Sequence, residues 1–123
     1  MHAITTYKTI DQSSASSEQL LLLLYERAIQ DQYRAIEAFE SGNDIEARDK
    51  LRRVREIFIA LASALDHEHA PEMTSNLHDL YMWSIKELSN ATRDKNCATI
   101  KATLNITETL YGAWQNVLNG AGA

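Results

Sequence analysis

Apolar positions recur at spacings of three and four along most of the chain, and the breaks between them divide it into four helices. The first opens behind Ala15-Ser16-Ser17-Glu18-Gln19, where the Ser16 hydroxyl can accept from the Gln19 backbone N–H while the Gln19 side chain reaches back. It is predicted over residues 17–41 and closes at Gly42. Asn43, with Glu46 three residues on, caps a second helix whose series Leu51, Val54, Phe58, Leu61 and Leu65 runs to the break at Asp66–Ala70. Pro71 suits the first turn of a third helix, since its nitrogen carries no hydrogen to leave unsatisfied. Met73, Leu77, Leu80, Tyr81, Ser84, Leu88 and Ala91 share one face of that helix. Asn96 caps the fourth, in which Ile100, Leu104, Tyr111, Trp114 and Leu118 form a matching stripe before Gly120.

One stretch exceeds what a single face can bury. Leu20–Leu24 are five consecutive leucines, and with each residue advancing about 100° they occupy every azimuth of the helix. Either several helices surround this turn, or some of the leucines await a partner outside the chain.

Short connections between long neighbours imply an all-α fold, an antiparallel up-down four-helix bundle with an irregular N-terminal arm. The expected division is an arm over residues 1–15, a bundle over 16–119 and a disordered tail over 120–123. Composition agrees: 123 residues suit one domain, and one proline and four glycines leave little turn material for a β fold. Twelve basic residues against seventeen acidic ones give a net charge of −5, which argues against nucleic acid as a partner. Cys97 is the sole cysteine, so no intrachain disulfide and no zinc knuckle can form. That favours a reducing, cytoplasmic setting. No basic segment leads into an apolar core at the N-terminus and the leucine run is far short of a bilayer span, so neither a cleaved signal nor membrane insertion is expected.

With Leu21, Leu24, Ala28, Ala35 and Phe39 taken as inward, Leu22, Ile29 and Tyr33 form a second stripe about 100° around the first helix. Ile59 on the second helix, Met82 and Trp83 on the third, and Ile106 and Val117 on the fourth also fall away from the centres of their core faces. Scattered apolar exposure is normal on any protein. As a set, these residues exceed what a tidy bundle shows, and such surplus builds grooves for amphipathic helices.

Catalytic and metal chemistry find little support. His67-Glu68-His69 falls in a predicted loop and lacks the i, i+4 histidine pair of a zinc helix, so it reads as a solvated loop. His78 has Ser75, not glutamate, three residues before it, which removes the di-iron bundle pattern. There is no phosphate-binding or nucleophile-elbow motif. Arg48–Arg53 mixes signs as a solvated helix face does, and Gln32 is the main polar intruder on the core face of the first helix. No enzyme, cofactor or metal site is expected.

Tyr7, Ser14-Ala15-Ser16-Ser17, the stretch Gln19–Ile29, Asn76-Leu77-His78-Asp79-Leu80-Tyr81 and Trp114 together resemble the FliS family of flagellar export chaperones. The ordered set covers essentially the whole chain. The resemblance implies a cytoplasmic bundle that binds the C-terminal segment of flagellin, prevents premature polymerisation and delivers it to the flagellar type III export apparatus. It further implies an arm residue pair, matched by Ile4 and Tyr7, able to cover an apolar groove when flagellin is absent. A homodimer is a further expectation for the client-free chain. The client-binding set is then Ile4, Tyr7, Leu22, Tyr25, Ile29, Tyr33, Ile59, Met82, Trp83, Ile106, Leu110 and Val117, with Trp83, Tyr33, Tyr25 and Leu22 as anchors. Departures from the family pattern are Arg27 in place of a usual glycine, Ser17 in place of proline, Ala70-Pro71 in place of Gly-Gly, and Gln12 in place of an apolar residue. Two alternatives stay open: a homo-oligomeric structural or regulatory scaffold, and a chaperone for a different secreted coiled-coil protein.

Overall fold

The computed structural model describes residues 17–120, and the side chains of residues 17–118. Ile4, Tyr7, the Ser16 cap and the arm expected over residues 1–15 lie outside the described residues. Four helices follow one another: α1 (Ser17–Glu40), α2 (Asp44–Ser63), α3 (Pro71–Asp94) and α4 (Cys97–Gly120).

The turns show why the chain reverses where it does. Gly42 adopts φ +81°, a left-handed value that glycine reaches without strain. The Asn43 N–H then bonds back to the Ala38 carbonyl at 2.7 Å, closing α1. The Asn43 side chain at once accepts from the Glu46 N–H at 3.3 Å and starts α2. Asn96 does the same for α4, accepting from the Thr99 N–H at 3.2 Å. The ends of α3 are less comfortable: Ala70, ahead of Pro71, sits at φ 44°, and Lys95, beyond Asp94, at φ 55°. Both carry a Cβ in a left-handed conformation that glycine would adopt without strain.

Cross-helix contacts set the direction of packing. Between α1 and α4, Tyr25 meets Trp114 while Gln32 meets Thr107 and Thr103, so residue numbers rise on one helix as they fall on the other. Between α2 and α3, Arg48 reaches Thr92 and Phe58 stacks on Tyr81 in the same antiparallel sense. The helices form a ring in which α1 touches α2 and α4, and α3 touches α2 and α4, with no close backbone approach along either diagonal. The core of Leu21, Leu51, Val54, Leu61, Leu65, Leu88 and Ile100 fills the middle. An all-α four-helix bundle is therefore the fold.

Candidate functional site

The side chains that fill the bundle decide which are left for the surface. Tyr25 is fully buried on α1, 6.5 Å from the ring of Tyr81 on α3. The two hydroxyls share a hydrogen bond, and the Trp114 indole donates to the Tyr25 hydroxyl at 3.3 Å. The expectation that Tyr25 anchors a client on the surface is thus corrected. Its ring closes the diagonal gap that backbones spaced around a ring leave open, and its hydroxyl finds partners there, as a buried phenol must. Leu24 and Phe39, read as inward, are only partly buried, and Met73, read as core, is exposed.

Two neighbouring polar side chains of α1 are buried in this interior. Gln32 is buried and saturated: its carbonyl accepts from Thr103 at 2.7 Å, and its amide donates to Thr107 at 3.0 Å and to the Ala28 carbonyl at 3.2 Å. Asp31 beside it, passed over in the sequence, is also fully buried. Neither of its oxygens has a hydrogen-bond partner, and Arg53 Nε on α2 faces one of them at 3.6 Å. Arg53 is therefore not merely part of a solvated face.

The sequence-predicted surface residues divide among different seams. Leu22, Ile29 and Leu110 are partly buried and pack against the core, which makes them the edges of the interior. Tyr33 is exposed on the α1/α4 side and donates to Glu108 at 2.9 Å, a contact that raises its pKa chiefly by stabilising the protonated phenol. Tyr111 makes the reciprocal bond to Glu26 at 2.5 Å, and that hydrogen bond, with lesser help from burial, lifts its pKa to about 12. Ile59 and Met82 line a cleft of about 420 Å³ between α2 and α3, together with His67 and His78. Trp83 is half-exposed on α3, off the buried stripe of Leu77, Tyr81, Ser84 and Leu88.

The α3/α4 seam holds an opening whose lining is wholly apolar. These two helices meet least extensively of the four neighbouring pairs. A cleft of about 200 Å³ opens between them, lined only by Met73, Leu77, Leu110, Ala113, Trp114 and Val117. A second hollow of about 620 Å³ shares Met73 and Leu77 and continues toward Leu80 and Pro71. On α4, Ile106, Leu110, Ala113 and Val117 fall at spacings of four, three and four, so they share one edge, with Ile106 one turn before the residues that line the cleft. Of the predicted set, the structure brings together Leu110 and Val117, with Ile106 on the same edge. Sequence reading missed Met73 and Ala113 as groove residues. The signal available was that same spacing, since Ala113 completes the edge that Val117 and Leu110 begin.

Such a surface offers apolar contact. Among the described residues no group of three or more histidine, cysteine, aspartate or glutamate side chains is placed to hold a metal ion. No helix among them is long and apolar enough to cross a membrane.

Comparison with known proteins decides what kind of bundle this is. The family model described as "Flagellar protein FliS" matches residues 1–121. The chain belongs to the FliS family. Among FliS relatives, the flagellar secretion chaperone FliS of Campylobacter jejuni subsp. jejuni serotype O:6 (strain 81116 / NCTC 11828) is 34% identical over 117 residues, covering 92% of this chain and 91% of the relative. The flagellar secretion chaperone FliS of Vibrio cholerae serotype O1 (strain ATCC 39315 / El Tor Inaba N16961) is 23% identical over 105 residues, covering 85% of this chain and 77% of the relative. A crystal structure of a bacterial flagellar chaperone superposes with a TM-score of 0.79 at 17% identity, over 87% of each chain, and shows the shared fold. The FliS family is a family of flagellar secretion chaperones, not of enzymes.

Proposed function

We propose that the chain binds the C-terminal segment of flagellin in the cytoplasm, keeps it from polymerising prematurely and delivers it to the flagellar type III export apparatus. The observation that carries this reading is the open α3/α4 groove, apolar throughout its lining, in a member of a secretion chaperone family. The ends of a filament-forming subunit are amphipathic helices whose apolar stripes stay unpaired until assembly. A groove between two helices covers such a stripe with its own side chains and offers knobs at helical spacing. Burial contributes about 25 cal/mol per Å² of apolar surface, offset by ordering and association terms, so an extended contact can still release at the export gate.

Ile106, Leu110 and Val117 are the seat of the client on this reading, and Ile59, Met82, Trp83 and Tyr33 extend contact to a segment that wraps the bundle. Leu22 and Ile29 shape the surface from beneath. The test is size-exclusion chromatography with light scattering, on the purified protein alone and mixed with the C-terminal segment of flagellin from the same organism. A 1:1 complex is expected, lost in Val117→Asp. A protein that ignores flagellin and grows with its own concentration, client present or absent, overturns the reading in favour of a homo-oligomeric scaffold.

A further inference from the structure

A buried polar contact lies beneath the groove between α3 and α4. Trp114 is 6% exposed, and its indole walls the cleft beside Leu77, Leu110 and Val117. Its N–H donates inward, to the hydroxyl of the fully buried Tyr25 on α1, at 3.3 Å. That hydroxyl also shares a hydrogen bond with the hydroxyl of Tyr81 on α3, one turn beyond Leu77. Ring contacts brace the same group: Tyr25 stacks on Tyr111 of α4 with centroids 6.5 Å apart, and Tyr81 stacks on Phe58 of α2 at 5.8 Å. One phenol oxygen thus ties α1 to both helices that form the groove, the neighbouring pair that meets least extensively.

We propose that Tyr25 is a positioning residue for the client groove, its hydroxyl holding the Trp114 indole as a preformed wall against which the client packs. An indole turns about two side-chain torsions, and the aliphatic neighbours in the cleft offer nothing polar to select one orientation. The indole N–H is a donor only, so a buried acceptor favours the rotamer that meets it. Fixing that rotamer before binding removes an ordering cost that association otherwise carries. Resting on the client reading of the same groove, this assignment gives a fully buried residue a share of the affinity.

Tyr25→Phe keeps the ring and removes only the hydroxyl. In a chain carrying Trp83→Phe, Trp114 is the sole tryptophan, and time-resolved fluorescence anisotropy reads the wobble of its indole. Tyr25→Phe is expected to widen that wobble with no client present. With Trp83 restored, calorimetric titration is expected to show the C-terminal segment of flagellin binding about fivefold more weakly to Tyr25→Phe than to the parent. In a double-mutant cycle that loss is expected to vanish once Trp114→Phe has removed the N–H. Leu51→Val, a core change two turns from Phe58 on α2, lowers stability while leaving wobble and affinity as they were. An unchanged wobble in Tyr25→Phe, an unchanged affinity, or an equal loss of affinity with and without the Trp114 indole overturns the proposal. A parent chain that binds no flagellin overturns the client reading instead, and the wobble alone then decides whether Tyr25 holds the wall.

Discussion

Removing Asp31 and removing Arg53 break the same ion pair, yet the two changes are expected to differ by several kcal/mol. The carboxylate is fully buried and its oxygens have no hydrogen-bond partner, while the Arg53 side chain keeps 37% of its surface in water, 3.6 Å away. At that separation and an effective dielectric of about 20, the attraction is about 4 to 5 kcal/mol. Desolvating a carboxylate costs several kcal/mol, so the pair roughly breaks even. Asp31→Ala removes the attraction and the desolvation together, gains about 0.6 kcal/mol of helix propensity and leaves only a small void, so stability stays within about 1 kcal/mol of the parent. The freed arginine simply turns outward. Arg53→Met keeps the apolar stem but strands the buried charge, which costs about 3 to 5 kcal/mol. Urea unfolding followed by far-ultraviolet circular dichroism measures both, and Arg53→Met should lower the midpoint by roughly 2 M at unchanged slope. Adding Asp31→Ala to Arg53→Met should restore most of the loss. A costly Asp31→Ala beside a harmless Arg53→Met would refute the argument.

Three further outcomes are expected. Val117→Asp changes stability by no more than about 0.5 kcal/mol, because Val117 is 41% exposed, but weakens binding of the flagellin segment at least about tenfold, as calorimetric titration would read. Ala70→Gly relieves the left-handed backbone ahead of Pro71 and raises stability by about 1 kcal/mol in the same urea assay; a loss instead would show that the Cβ is not strained. Tyr111, with its pKa raised from 10.0 to about 12 by Glu26, is the protonated partner of the α1/α4 clasp. Its folded value lies above its unfolded one, so its stabilisation is whole below pH 10 and fades as pH climbs toward 12. An ultraviolet tyrosinate titration should lose a component near pH 12 in Tyr111→Phe and see that component move down in Glu26→Gln.

Much of the architecture was legible because local signals decide it. Gly42, Asn43, Pro71 and Asn96 act within one or two turns of themselves, and they mark helix boundaries wherever they stand in space. The core stripe of α2 was equally plain, since Leu51, Val54, Phe58 and Leu61 recur at helical spacing and are all buried.

Azimuth alone could not divide core from surface on α1. Among the five leucines only Leu21 is fully enclosed, while Leu23 is exposed and Leu22 and Leu24 lie at the edge. Tyr25, an aromatic with a polar tip, suits a groove as well as a core, and it went inward because Tyr81 and Trp114 converge on its hydroxyl from two other helices. Asp31 shows the reverse case, a charge drawn inside because its position on the helix leaves it facing α2, where Arg53 meets it. The helices, their order and their inward stripes were thus set by sequence, through interactions that span a few residues. Which seam stayed open, which arginine was held and which tyrosine was buried were set by how four cylinders close around a shared interior. Each of those outcomes depends on the spacing between helices, and no single helix contains that distance.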